Sequence, residues 1–342
     1  MEIHTKEITE GIARLRAKLK KIQVDALALS PYNRAYLTKH LVYLDYMLLL
    51  HGRILEDALR LKPGFKVLCD YGGGTGLLGL LAKECFDCEV LYVDTYPEAC
   101  RDVKVIASAL NLSIDRVIQG DVNALIRSEG SKLEVMVSLD VVEHIYDLAQ
   151  FFQKTRESFP EIIQVHNTSA NVYNVLKRKY FKKIHHQCEW EGDPDNLKET
   201  DHREPFFQLR YDWIQKHYHS INHEATHALA MITRGITFKD MESFVFLWLD
   251  GQRHVDPYKD KYLHNTCDPN NGNWAERLLY FHEYERFASG YHCVFKGNPF
   301  NLAQKGAGQK LAAQWLNVWI NICGKSGKYV WPSFNMLLTP KS

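Results

Sequence analysis

The sequence has no long apolar run, no excess charge of either sign, no internal repeat and no low-complexity tract. Its most apolar stretch, around residues 46–50, is far below the roughly 20 residues a helix needs to cross a bilayer. The opening MEIHTKEITEG has no apolar core of the secretory kind. With 42 Lys and Arg against 41 Asp and Glu, the net charge of +1 gives no overall pull toward nucleic acid or an anionic membrane. Eight cysteines are scattered along 342 residues without a disulfide-like spacing, so they read as reduced thiols. The expectation is a cytoplasmic protein without a membrane span or a nucleic-acid partner. Cys85 and Cys88 form a CxxC, but no second pair stands at zinc-site spacing and both fall at the end of a predicted helix. They read as packing residues, and no metal is expected.

Residues 66–79, KVLCDYGGGTGLLG, organise what is present. Val67 and Leu68 lead to Asp70, then come Gly72, Gly73, Gly74, Thr75 and Gly76, and then leucines at helical spacing. The pattern predicts a buried strand, a bend free of Cβ atoms, and a helix that starts at once. The first amides of such a helix are unpaired donors at its positive end and suit an anionic or carboxylate-bearing ligand.

From there strand and helix alternate. Strands are predicted at 89–94, 117–119, 134–138 and 161–166, with helices at 97–110 and 146–157. This alternation specifies a parallel sheet with helices on both faces, whose ligands sit outside the carboxyl ends of the strands. The unusual residues gather at those ends: the glycines, Asp94, Asp121, Asp140 and His166. Before the sheet, residues 1–62 read as helices, one with Ile8, Ile12, Leu15 and Leu19 on a single face, and another from 33 to 61 after the Ser30-Pro31 break. Tyr32, Tyr36, Tyr43 and Tyr46 can close a ligand pocket or simply pack.

Two functional classes compete on these residues. Gly74, Gly76 and Gly79 satisfy GxGxxG, and Asp94 stands where a dinucleotide fold keeps its ribose-binding acid, which points to an NAD(P)-dependent oxidoreductase. Against it, Asp70 replaces the apolar residue usual before those glycines, Gly120-Asp121 follows the third strand, and the fourth strand runs into SLDVVEHI.

The set DYGGGTG, VD, GDV and SLDVVEHIYDL resembles the class I S-adenosylmethionine-dependent methyltransferases, in their ubiquinone- and sugar-modifying style, over about residues 60–180. The resemblance implies a seven-stranded Rossmann-like sheet, mostly parallel, with residues 334–338 as a last, antiparallel strand. It also implies S-adenosylmethionine as cofactor, leaving as S-adenosylhomocysteine. Asp70 and the amides of Gly72, Gly74 and Gly76 would hold its methionine part. Asp94 would accept from the ribose hydroxyls and Asp121 from the adenine amino group, with Leu139 and Asp140 lining the cofactor. The expected reaction moves the methyl group to a hydroxyl or amine of a small metabolite, sugar or natural-product intermediate. A non-catalytic cofactor-binding protein is the remaining alternative. A hydroxyl or protonated amine acceptor needs a base. His144 is the first candidate and His166, beside Asn167, the second.

Residues 181–270 exceed a minimal fold of this kind and read as a helical insertion forming a substrate lid, with helices at 206–219, 222–234 and 238–249. His202, Arg203 and Glu204 are read there as substrate contacts, together with Asn167. His223-Glu224-Ala225-Thr226-His227 spells HExxH, yet nothing else in the chain suggests a hydrolase, so its histidines are assigned to a polar helix face. The remainder is predicted as helices at 274–285 and 309–322 with a strand at 291–295. The chain thus divides into a helical N-terminal cap (1–62), a cofactor-binding core (63–180), the insertion (181–270) and a part completing the sheet (271–342).

Overall fold

The computed structural model describes residues 5–129, 132–192, 204–251, 264–301 and 307–341. It forms two compact units, one of Met1–Val142, Asp147–Asn171 and Tyr280–Ser342, the other of Glu143–Tyr146 and Val172–Leu279. The N-terminal helices belong to the same unit as the sheet.

The first unit opens with α1 (Lys6–Leu19), α2 (Pro31–Val42) and α3 (Leu44–Leu61). The single helix expected over 33–61 is two, interrupted at Tyr43. Ser30 starts α2 by accepting from the Asn33 amide, with Pro31 in the first turn. Then come β1 (Val67–Tyr71), α4 (Leu77–Cys85), β2 (Glu89–Asp94), α5 (Pro97–Ala109), β3 (Arg116–Gln119), α6 (Val122–Glu129), β4 (Val135–Leu139), α7 (Leu148–Ser158) and β5 (Ile163–Thr168). The second unit follows with α8 (Val175–Trp190), α9 (Phe206–His217), α10 (His223–Ile232) and α11 (Phe238–Leu249). The chain then returns to the first unit as α12 (Phe281–Phe287), β6 (Tyr291–Gly297), α13 (Ala307–Cys323) and β7 (Phe334–Pro340).

The helix expected at 274–285 is largely absent. Asn265 spends its side-chain amide on the Leu278 N–H and C=O (2.8 and 3.0 Å), and the Ala275 N–H donates to Thr266 O (2.9 Å). Backbone groups engaged this way are lost to a helical ladder.

The sheet runs β3-β2-β1-β4-β5-β7-β6. β7 alone runs against the other six strands, pairing Val165 with Leu337 on one side and Val294 with Leu337 on the other. Strand alternation sends Leu68, Val90, Val135, Val137, Ile163, Val165 and Leu337 into a core shared with Ile8 and Leu15 of α1, Ile54 and Leu55 of α3, and Leu80 of α4. Each such buried aliphatic side chain contributes roughly 1.5–3 kcal/mol, enough to make α1 and α3 part of the sheet's own core. α1 crosses α4 so closely that a Cβ at Gly11 would overlap Cys85 Sγ. On the opposite sheet face, Phe151 meets Tyr71 at 5.1 Å and Phe152 meets His166 at 6.0 Å.

In the second unit Ile214, Leu229, Met241 and Val245 form a small core. Beside it, Arg210 donates to Glu189 (Nη2 to Oε1, 2.5 Å) and to Ala230 O (3.0 Å), while Thr266 Oγ1 donates to the other Glu189 oxygen (2.6 Å). No described helix is long and apolar enough to cross a membrane.

Candidate functional site

Parallel strands deliver their carboxyl ends, and the loops after them, to one edge of a sheet. β1 ends there in a bend where Gly72, Gly74 and Gly76 have φ of 66°, 53° and 73°. A Cβ on Gly72 would strike Val141 at 2.6 Å, which fixes that residue by packing. Gly74 differs: it needs the left-handed conformation, yet a Cβ there meets nothing within 4 Å. The bend therefore borders open space that a side chain at 74 would begin to fill.

Carboxylates brace this bend. Asp94, at the tip of β2, accepts from the Gly74 amide at Oδ2 (3.0 Å) and the Tyr96 amide at Oδ1 (2.9 Å). Tyr92 Oη donates to the Gly74 carbonyl (2.7 Å), so both backbone polar groups of Gly74 are held. The Gly120 amide donates to Asp94 O (2.8 Å), which makes Asp121 and Asp94 neighbours on adjacent strand tips. Asp121 is exposed and caps α6 through the amides of Asn123 (3.0 Å) and Ala124 (3.2 Å). Asp70 is 1% exposed and its Oδ2 accepts from the Gly79 amide at 2.9 Å, bracing the bend from below. Burial, opposed by that hydrogen bond and reinforced by Asp94, pushes its carboxyl up to about 7.

At the tip of β4, Leu139 is half-buried and Asp140 is exposed with φ 50°. The Asp140 amide donates to Asn167 O (2.9 Å) and its Oδ1 accepts from the Ser169 amide (2.8 Å). These bonds hold a non-glycine residue in a conformation costing roughly 1–2 kcal/mol.

The two histidines fare differently. His166 is fully buried, with Nδ1 2.8 Å from Ser138 Oγ and Nε2 2.8 Å from Gln164 Oε1. Burial pushes its pKa down to about 3. Both ring nitrogens are engaged inside the sheet, which corrects the expectation of His166 as a base. Asn167 is corrected in the same way: it is 1% exposed and gives its amide to Asn335 Oδ1 (2.8 Å), whose own amide donates to Asp57 (3.0 Å). It supports the strand ends from within the sheet. His144 lies in the second unit, where Nδ1 is 2.7 Å from the Trp274 carbonyl and Nε2 is 3.9 Å from Glu276 Oε1. A carbonyl partner places a proton on Nδ1. Glu204 is exposed ahead of α9. His202 and Arg203 lie outside the described residues.

The HExxH histidines meet aromatic rings at a tilt, His223 against Tyr211 (5.4 Å) and His227 against Phe207 (5.0 Å). Burial pushes the Cys85 and Cys88 thiols up to about 12 and about 11, as packed side chains require.

On α2 stand two tyrosines named above as a possible pocket closure, Tyr32 and Tyr36, and one ring that the sequence reading missed, His40. Tyr32, Tyr36 and His40 form a ladder along α2, with Tyr32 and Tyr36 at 4.7 Å and Tyr36 and His40 at 6.0 Å. Tyr32 also meets Tyr96, beside Asp94, at 6.0 Å. His40 Nδ1 is 3.2 Å from Thr75 Oγ1 in the glycine bend, and burial, helped by Lys39, pushes its pKa down to about 4. The i, i+4 spacing of these three rings was the available signal. α2 is latched by Asp102 of α5, whose Oδ2 accepts from the Ser30 amide (2.9 Å), Ser30 Oγ (2.5 Å) and Asn33 Nδ2 (3.3 Å).

No protein-family profile matches the chain, and no curated protein matches it. Among solved structures it is similar to an S-adenosylmethionine-dependent methyltransferase from Clostridium acetobutylicum, at 18% identity and a TM-score of 0.32 over 41% of this chain and 56% of that one. It is similar to the ribosomal protein L11 methylase of Lactobacillus delbrueckii subsp. bulgaricus, at 14% identity and 0.29 over 33% and 56%. Mycolic acid cyclopropane synthase CmaA1, solved with SAH and CTAB, aligns over the whole of both chains at 14% identity and 0.40. The match spans about half the length of the first two proteins. Likeness at this level carries no argument about activity.

Proposed function

We propose that the chain is an S-adenosylmethionine-dependent methyltransferase acting on a hydroxyl or amine of a small metabolite, sugar or natural-product intermediate. The observation that supports this reading is the open space at Gly74, with Asp94 on the next strand tip and Asp121 on the one after it. The antiparallel β7 between β5 and β6 also supports it, because the dinucleotide-binding fold is open and mostly parallel with strand order 3-2-1-4-5-6.

The cofactor, when bound, supplies a methyl group activated by a sulfonium charge. The chain's part is to bind, orient and take up a proton. The glycine bend, braced by Asp70, would lie against the methionine portion through its Cβ-free backbone, not through the amides first assigned to it, because the Gly72, Gly74 and Gly76 N–H groups already donate to Val93 O, Asp94 Oδ2 and Gly73 O. Asp94, already fixed by two backbone amides, would present its remaining lone pairs to the ribose hydroxyls, and Asp121 would accept from the adenine amino group. Leu139 and Asp140 would line the pocket, and Tyr32 would cover it. The carboxylates at the strand ends favour a positively charged ligand over a neutral one of the same shape. His144 is the proposed base, with its tautomer set by the Trp274 carbonyl. His202, Arg203 and Glu204 are the proposed acceptor contacts.

Calorimetric titration with S-adenosylhomocysteine and, separately, with NADH tests the reading: the first binds and the second does not. The opposite pattern would replace it with the oxidoreductase. Transfer of a labelled methyl group to an acceptor separates an enzyme from a cofactor-binding protein without turnover.

A further inference from the structure

α13 has two unlike faces. Ala313 and Ile320 are buried, and Asn317 holds the chain ahead of the helix by accepting from the Phe300 amide (2.6 Å) and donating to its carbonyl (3.3 Å). On the other side, Leu311, Trp315, Val318, Trp319 and Ile322 are 58%, 67%, 49%, 58% and 76% exposed. Their spacing puts all five in one stripe about 100° wide. Tyr329, just beyond the helix, is exposed as well. A continuous patch with two tryptophans is more than scattered surface apolarity explains.

The charge around the stripe identifies what covers it. All 41 acidic residues of the chain lie before residue 286, while Lys310 belongs to this helix and Lys328 to the turn after it. A helix and turn with exposed Trp and Tyr, with lysines and without a carboxylate of their own, have the composition of a helix lying in a membrane interface. A second copy docked through the same patch would set these lysines against each other, because a twofold interface is self-complementary.

We propose that α13 docks on an anionic lipid bilayer, with the Leu311–Trp315–Trp319–Ile322 stripe sunk into the headgroup–acyl boundary and the lysines at phosphate level. The helix lies on the membrane and does not span it. α13 joins the end of β6 to the start of β7, where Phe334 pairs with both Gly297 and Thr168, so it stands at the same sheet edge as the glycine bend. The inference does not depend on the transferase reading.

Co-sedimentation of the full chain with vesicles of phosphatidylcholine, alone or mixed with phosphatidylglycerol, tests it. Partitioning onto the anionic vesicles is expected to be about tenfold or more the stronger and to weaken with added salt. Bromine-labelled acyl chains are expected to quench the tryptophan emission. The combined variant Trp315→Ser, Trp319→Ser and Ile322→Ser is expected to lose about tenfold in partitioning, and most of the quenching, with an unchanged thermal midpoint. If that variant fails to fold, Lys310→Glu with Lys328→Glu must remove the preference for anionic vesicles. Absence of binding, or equal binding by the variants, overturns the proposal. So does light scattering that shows a dimer of the unaltered chain which the stripe substitutions dissociate.

Discussion

Replacing Gly74 by alanine separates the backbone role of the glycine bend from its role as a ligand wall. Gly74 has φ +53° and Gly64, in the turn before β1, has φ +71°, and a Cβ at either meets nothing within 4 Å. Both substitutions therefore carry the same cost, that of an L-residue in the left-handed region, roughly 1–2 kcal/mol each. For a chain of this size that is a fall of roughly 1–3 °C in thermal midpoint. They differ in where the new methyl group stands. Gly64 is exposed ahead of the sheet, whereas Gly74 is half-buried and its amide is held by Asp94 at the proposed ligand site. Displacing a ligand from even a few close contacts costs at least about 1.4 kcal/mol, a tenfold change in affinity. Thermal unfolding should show Gly64→Ala and Gly74→Ala equally destabilised. Calorimetry should show Gly64→Ala binding S-adenosylhomocysteine like the unaltered chain, and Gly74→Ala at least about tenfold more weakly. Equal binding by the two variants would refute the claim that the open space at Gly74 is the ligand cradle.

Three further outcomes follow from the geometry. Because the folded-state pKa of Asp70 is raised to about 7 from an ordinary value of 3.8, its favourable contribution is present in full below about pH 4 and is lost as pH rises to about 7. Urea unfolding of Asp70→Asn, which retains an acceptor for the Gly79 amide, should therefore gain on the unaltered chain across that range by up to about 4 kcal/mol; parallel curves would contradict the burial argument. Asp102→Ala removes the three hydrogen bonds that latch the start of α2 and should cost roughly 2–4 kcal/mol in denaturant unfolding, with faster exchange of the α2 amides. In a methyl-transfer assay, His166→Gln should change turnover little at the cost of stability, whereas His144→Asn should lower it roughly 100-fold or more. A large loss with His166→Gln alone would restore His166 as a base.

Much of the first unit was legible in the chain because its signals are local. A strand that is buried on both faces is a short apolar run, a bend with three adjacent glycines has few other uses, and successive strand tips announce themselves by Asp94, Asp121 and Asp140. Less legible was whatever depends on which distant group takes up a backbone or side-chain polar atom. Residues 274–280 have helical composition, and it is Asn265 and Thr266 that take the amides a helix would have used. His166 has the chemistry of a base, but Ser138 in the next strand and Gln164 two residues earlier consume both of its nitrogens.

The sequence by itself determined the order of the strands and helices along the chain, the bend, and the acids that follow the strands, because these depend on residues within a few positions of one another. Only the tertiary structure decided that α2 lays Tyr32 and His40 against the bend, that Asp70 braces it from a buried position, and that α13 turns its tryptophans to solvent. Those outcomes are set by packing and desolvation between segments far apart in the chain. The free energy of a titratable or aromatic side chain depends on the neighbours that folding supplies.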